Sequence, residues 1–239
     1  MTARGHGGGG ARAARAAAWA AVLLLACGAD DPVRPQAPAT LEWVALTTAL
    51  QEPVNIAVIR PTVAARGVVL AFPWGRGDSD LLLSLIDSYW DVAAPAAGYA
   101  VVGVEVYGPG MSDGGEYVMD AVLEWIDANF VGAANDIVMT GASAGGIGVF
   151  HAALAVPDRV GGIIAMPGRY EGGASLVPFA GLPVWMMVGE EDGNWVDRSQ
   201  ATADLLEAAG ADVTHEVLPA QGHVLIVPQD ELVTWIEGR

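Results

Sequence analysis

Lysine is absent from this chain of 239 residues, and all 11 basic residues are arginines. Against them stand 28 acidic residues, for a formal net charge of −17. Positive charge this sparse argues against nucleic acid as a partner and against a basic patch that would hold an anionic bilayer. Cysteine is nearly absent too: Cys27 stands alone, so no internal disulfide can form. Four scattered histidines, with no carboxylates at ligand spacing, fit no metal site, and no cofactor is called for. Gly75-x-Gly77 lacks the third glycine of a dinucleotide-binding turn. No internal repeat and no inserted second domain interrupts the pattern.

Apolar residues, by contrast, are plentiful. They make up 53% of the chain against 16% charged, enough for a large core in one sizeable α/β domain preceded by an N-terminal appendage. Residues 1–26 read as an export signal: Arg4, Arg12 and Arg15 form a basic start, and residues 16–26 an apolar stretch too short to span a bilayer well. Leu24-Leu25-Ala26-Cys27 resembles the bacterial lipobox, which implies lipidation of Cys27 and membrane attachment through it. The alternative is an ordinary cleavage site beside an incidental cysteine. Residues 27–40, rich in Pro, Ala and Asp and without periodicity, read as a flexible tether to a domain spanning residues 41–239.

Within that domain, strands alternate with helices. Apolar and β-branched runs at residues 41–50 and 53–60 suggest an opening hairpin. Continuous apolar runs at Gly67–Phe72, residues 98–106, Val160–Ala165 and residues 182–188 predict buried strands, and Asp212–Leu218 alternates like an edge strand. Helical spacing predicts helices over residues 79–94, 116–130, 195–209 and 225–237, the last able to start at Pro228. Residues 107–115 and 166–181 read as glycine-containing loops. This order predicts a mostly parallel sheet with helices on both faces.

Residues 136–156 organise the rest. A short buried strand runs into Gly141-Ala142-Ser143-Ala144-Gly145-Gly146, and an apolar, Ala-rich helix follows. A serine at such a strand-to-helix turn is held in a strained conformation with its hydroxyl pushed out of the sheet. Small residues two positions either side allow strand and helix to approach closely. The N–H of the next residue, Ala144, then lies at a helix N-terminus, suited to a developing oxyanion. A serine needs a base, and the base an orienting carboxylate. Strand ends supply both: Asp192 follows the 182–188 strand, and His223 follows the last strand. Glu190 and Glu191 compete with Asp192. His151, inside the helix after the turn, and His215, alternating in the last strand and read as a surface residue, compete less well with His223. His6 lies in the signal.

The order Ser, Asp, His on this pattern resembles the α/β-hydrolase superfamily over residues 41–239. It is similar in particular to small, cap-less bacterial serine esterases of the dienelactone-hydrolase-like and polyhydroxyalkanoate-depolymerase or feruloyl-esterase-like kinds. The resemblance implies Ser143 as nucleophile, Asp192 as acid and His223 as base. It also implies an oxyanion hole from the N–H groups of Ala144 and Trp74, with Gly75 as neighbour. Many relatives open that loop with His-Gly where this chain has Pro73-Trp74-Gly75, and dienelactone hydrolases proper use a cysteine nucleophile. Trp195 and Gly75 are further candidates for contact with substrate, whereas Trp185, inside a strand, reads as core.

The expected activity is therefore cleavage of carboxylic esters by an exported serine hydrolase through an acyl-enzyme. With the 166–181 segment too short for a cap, the expected substrate is a small ester or the end of a polyester. Rival readings are a serine peptidase or acyltransferase using the same residues, and a non-catalytic binding lipoprotein.

Overall fold

The computed structural model describes residues 40–239. The proposed signal, Cys27 and all of the proposed tether but Thr40 lie outside the described residues. The chain first forms an antiparallel hairpin, β1 (Leu41–Thr47) with β2 (Pro53–Ile59). Six further strands follow: β3 (Gly67–Phe72), β4 (Tyr99–Val104), β5 (Ile137–Gly141), β6 (Val160–Ala165), β7 (Pro183–Gly189) and β8 (Asp212–Leu218). They make one eight-stranded sheet in the order β1-β2-β4-β3-β5-β6-β7-β8. β2 pairs antiparallel with β1 and β4, and every other pairing is parallel. β3, β4 and β5 are buried along their whole length, which is why they read as unbroken apolar runs rather than alternating ones.

Helices cover both faces. α1 (Ser79–Tyr89), α2 (Ala93–Ala96) and α6 (Gln229–Gly238) pack on one side through Leu82, Leu85, Ile86, Leu232 and Ile236. α3 (Gly115–Asn129), α4 (Ala144–Ala155) and α5 (Asn194–Ala208) pack on the other through Met119, Ile126, Phe150 and Leu206. Asp78 caps α1 by accepting the Leu81 N–H at 3.2 Å. Between β6 and β7, the only helical element among the described residues is a 3₁₀ turn, Val177–Phe179.

The helix expected over residues 79–94 is in fact two. Continued past Tyr89, the ring of Pro95 would meet the carbonyl of Asp91, so the chain breaks and restarts. Gln229, at the start of α6, accepts the Val92 and Ala93 N–H groups through Oε1 at 3.0 and 3.1 Å and so caps the second piece. The loop expected over residues 107–115 contains a 3₁₀ helix, Gly108–Ser112, opened by Pro109. The last helix begins at Gln229, directly after Pro228.

Candidate active site

Ser143 stands between β5 and α4 at φ 56° and ψ −113°, a backbone conformation that costs a non-glycine residue about 1–3 kcal/mol. Its surroundings hold it there. The Ser143 N–H donates to the Pro167 carbonyl at 2.8 Å, and the Ser143 carbonyl accepts the Ile147 N–H at 3.0 Å. The flanking glycines are required sterically. A Cβ on Gly141 would fall 2.2 Å from the Gly145 carbonyl oxygen, and one on Gly145 would fall 2.0 Å from that of Phe72. The spacing in the sequence therefore encodes how closely β5, α4 and the end of β3 meet.

His223 Nε2 lies 2.8 Å from Ser143 Oγ. On the other edge of the ring, Nδ1 lies 2.9 and 2.8 Å from the two carboxylate oxygens of Asp192. The Asp192 side chain is 8% exposed and that of His223 40%, so the carboxylate is shielded while the imidazole reaches the open site. Two loops must stay in register for this contact. Glu190 Oε2 accepts the Ala220 N–H at 3.0 Å, and the Glu191 N–H donates to the Gln221 carbonyl at 2.8 Å. Gln221 in turn grips the following chain, accepting the Ile226 N–H at 2.7 Å and donating to its carbonyl at 3.3 Å. The Glu190 carboxylate thus serves loop architecture, Glu191 joins it only through its backbone N–H, and Asp192 alone meets the imidazole.

Ser143 and His223 open onto a cavity of about 250 Å³. Its walls are mostly apolar: Trp74, Gly75, Tyr89, Met166, Pro167 and Val224. The buried Tyr89 donates its hydroxyl to the Leu225 carbonyl at 2.7 Å and meets Trp74 edge to face at 6.5 Å. Burial pushes the Tyr89 phenol above its ordinary pKa, so it stays a neutral donor. The N–H groups of Trp74 and Ala144 make no hydrogen bond to any described residue. Among the described residues, no three His, Cys, Asp or Glu side chains converge in a way that could hold a metal ion.

Other candidates fall elsewhere. Trp195 is not in the cavity wall; it packs against His223, ring centroids 5.0 Å apart. His151 lies against Tyr170 at 5.6 Å, and burial lowers its pKa, partly offset by Glu171. His215 is not the surface residue its alternation suggests. α5 packs over β8, and His215 Nε2 comes 3.0 Å from the Oγ of fully buried Ser199. Burial lowers the His215 pKa, against the opposing influence of Asp204 and Glu207. Trp185 is core, stacked on Trp235 at 5.9 Å.

Sequence reasoning missed Tyr89, Met166, Pro167 and Gln221 as parts of the site. Tyr89 reads simply as the last apolar position on the core stripe of its helix. Met166-Pro167 at the carboxyl end of a parallel strand was the available signal, since such ends border the functional crevice of an open sheet.

A family model for "Esterase" matches residues 69–222. No curated protein matches the chain significantly. Solved structures similar to it include an esterase of Pyrobaculum calidifontis at 16% identity, with a TM-score of 0.64 over 83% of this chain and 85% of that one. Fungal esterases of Rhizomucor miehei are 18% identical, with a TM-score of 0.62 over 87% and 86%. An acylaminoacyl peptidase of Pyrococcus horikoshii is 14% identical, with a TM-score of 0.59, and is matched over 78% of this chain but 38% of its own. At such identities these structures share the fold.

Proposed function

The chain belongs to the Esterase family, the carboxylic ester hydrolases, and from that premise we propose that Ser143 is its nucleophile. His223 removes the hydroxyl proton as Oγ attacks the ester carbonyl, and Asp192 fixes the imidazole tautomer and steadies its cation. The N–H groups of Ala144 and Trp74 receive the oxyanion of the tetrahedral intermediate. Collapse expels the alcohol, protonated by His223, and leaves an acyl group on Ser143. Water, activated by the same imidazole, then releases the acid.

The observation that carries this reading is the unbroken hydrogen-bonded chain Asp192–His223–Ser143, ending on a serine in a strained backbone conformation. The small apolar cavity favours short acyl groups, as in a small ester or a polyester end held by its terminal unit. Turnover of p-nitrophenyl butyrate by the 41–239 domain, lost in Ser143→Ala, is the expected result. Equal activity in the two proteins contradicts the assignment. In an acyl series, kcat/KM should fall at least about tenfold from butyrate to palmitate; a preference for palmitate contradicts the short-chain reading.

The same proposal includes export and attachment to a membrane through Cys27, supported by the basic and apolar order of residues 1–26 and by Leu24-Leu25-Ala26-Cys27. Cys27→Ala should move the exported protein from the membrane to the soluble fraction. Recovery of the unaltered protein in the cytoplasm contradicts it.

A further inference from the structure

Two hydrogen bonds hold the imidazole of His223, one at each ring nitrogen. Together they hold the two nitrogens at 2.8 Å from their partners, and each bond tolerates some departure from linearity. The terminal torsion of histidine is itself broad. A flat neighbour packed against the ring narrows that tolerance further. Trp195, in the first turn of α5, is the aromatic neighbour of that ring, 5.0 Å away between centroids at 56°. It is absent from the wall of the cavity.

Trp195 is itself held. The guanidinium of Arg169 lies 4.0 Å over its ring. Arg169 is anchored by an ion pair with Glu171, and its side chain is 15% exposed, unusually covered for an arginine. The backbone of this segment is tied at both residues: the Arg169 N–H donates to Gly146 in α4, and the Tyr170 N–H donates to Thr202 Oγ1 in α5. The contacts thus run Glu171 to Arg169 to Trp195 to His223, from the loop after β6 to the base. This ordered packing calls for a large, flat side chain at position 195, which lies outside the wall of the cavity beside Ser143.

The geometry assigns Trp195 the role of a positioning residue that sets the tilt of His223, with Arg169 as its support. This rests on the reading of His223 as the base. Proton transfer demands alignment within about 10–20°, and a cationic imidazole beside an indole gains a further electrostatic attraction. Both effects belong to the transition state, and neither belongs to substrate binding. Trp195 therefore contributes to kcat and not to KM.

The test compares Trp195→Leu, Trp195→Phe and Arg169→Gln with the unaltered domain on p-nitrophenyl butyrate, with thermal melts of each. Trp195→Leu should lower kcat about tenfold with KM unchanged within about twofold, and Trp195→Phe should restore most of the loss. Arg169→Gln should fall between them. A raised KM at unchanged kcat in Trp195→Leu makes Trp195 a substrate contact and overturns the inference. Equal loss of kcat in the Leu and Phe variants, tracking lowered melting temperatures, overturns it as mere packing. A Ser143→Ala control as active as the unaltered domain overturns the reading beneath it, an outcome distinct from the other two.

Discussion

Asp192 meets His223 with both carboxylate oxygens, at 2.9 and 2.8 Å from a single ring nitrogen, while the neighbouring Glu190 spends its carboxylate on the backbone of Ala220. Two carboxylates only two residues apart therefore have separable roles. Asp192→Asn should lower kcat by roughly 10³-fold or more, because the amide can present a donor to Nδ1 and favour the wrong tautomer. Glu190→Gln, which keeps an acceptor for the Ala220 N–H, and Glu191→Gln should stay within about threefold of the unaltered protein. Steady-state kinetics on one ester checks all three.

Steric demand at the serine turn makes a second prediction. Gly145→Ala puts a methyl carbon 2.0 Å from the backbone oxygen of Phe72, which no side-chain rotation relieves. A loss of about 3 kcal/mol or more, or failure to accumulate folded protein, is expected. Gly173→Ala, with nothing within 4 Å of the new atom, should change stability by less than about 0.5 kcal/mol. Denaturant melts of the two variants provide the comparison.

The Tyr89 hydroxyl links the cavity wall to the loop that carries His223, through the Leu225 carbonyl. Tyr89→Phe leaves that carbonyl without its donor in a buried setting, at a cost of about 1–2 kcal/mol. The melting temperature should drop by about 2–8 °C. An unchanged melt would show that the bond contributes nothing net.

Burial lowers the pKa of both His151 and His215, so the folded state favours their neutral forms. Below the ordinary histidine value of 6.5 the unfolded chain binds more protons at these positions than the folded one. Their contribution to stability is thus complete above about pH 6.5 and is lost as pH falls through the lowered folded values. The melting temperature should decline from pH 7.5 to pH 5. His215→Gln, which retains a partner for Ser199 Oγ, should make that decline shallower; an identical slope contradicts the assignment to His215.

The sheet was legible because parallel, doubly covered strands leave unbroken apolar runs such as Gly67–Phe72, and the serine turn because its glycines answer to backbone clashes. What escaped was set by contacts between distant segments. The restart at Ala93 is capped by Gln229, 136 residues on, and no local pattern contains that contact. His215 alternates as an exposed edge residue would, yet α5 covers it. Trp195 reads as a candidate for contact with substrate, and its packing on His223 through the first turn of α5 is not written in the sequence. The cavity wall escaped for the same reason: Tyr89, Met166 and Val224 come from three separate parts of the chain and meet only after folding.

The most direct measurement of the central claim is chemical. The domain should be quenched in acid within milliseconds of mixing with excess p-nitrophenyl butyrate, digested and analysed by mass spectrometry. The account predicts a butyryl group on the peptide containing Ser143, absent from Ser143→Ala and strongly reduced in His223→Gln, in which the hydroxyl has lost its base. Turnover with the acyl group on another residue, or with no acyl-enzyme and undiminished activity in Ser143→Ala, would contradict it.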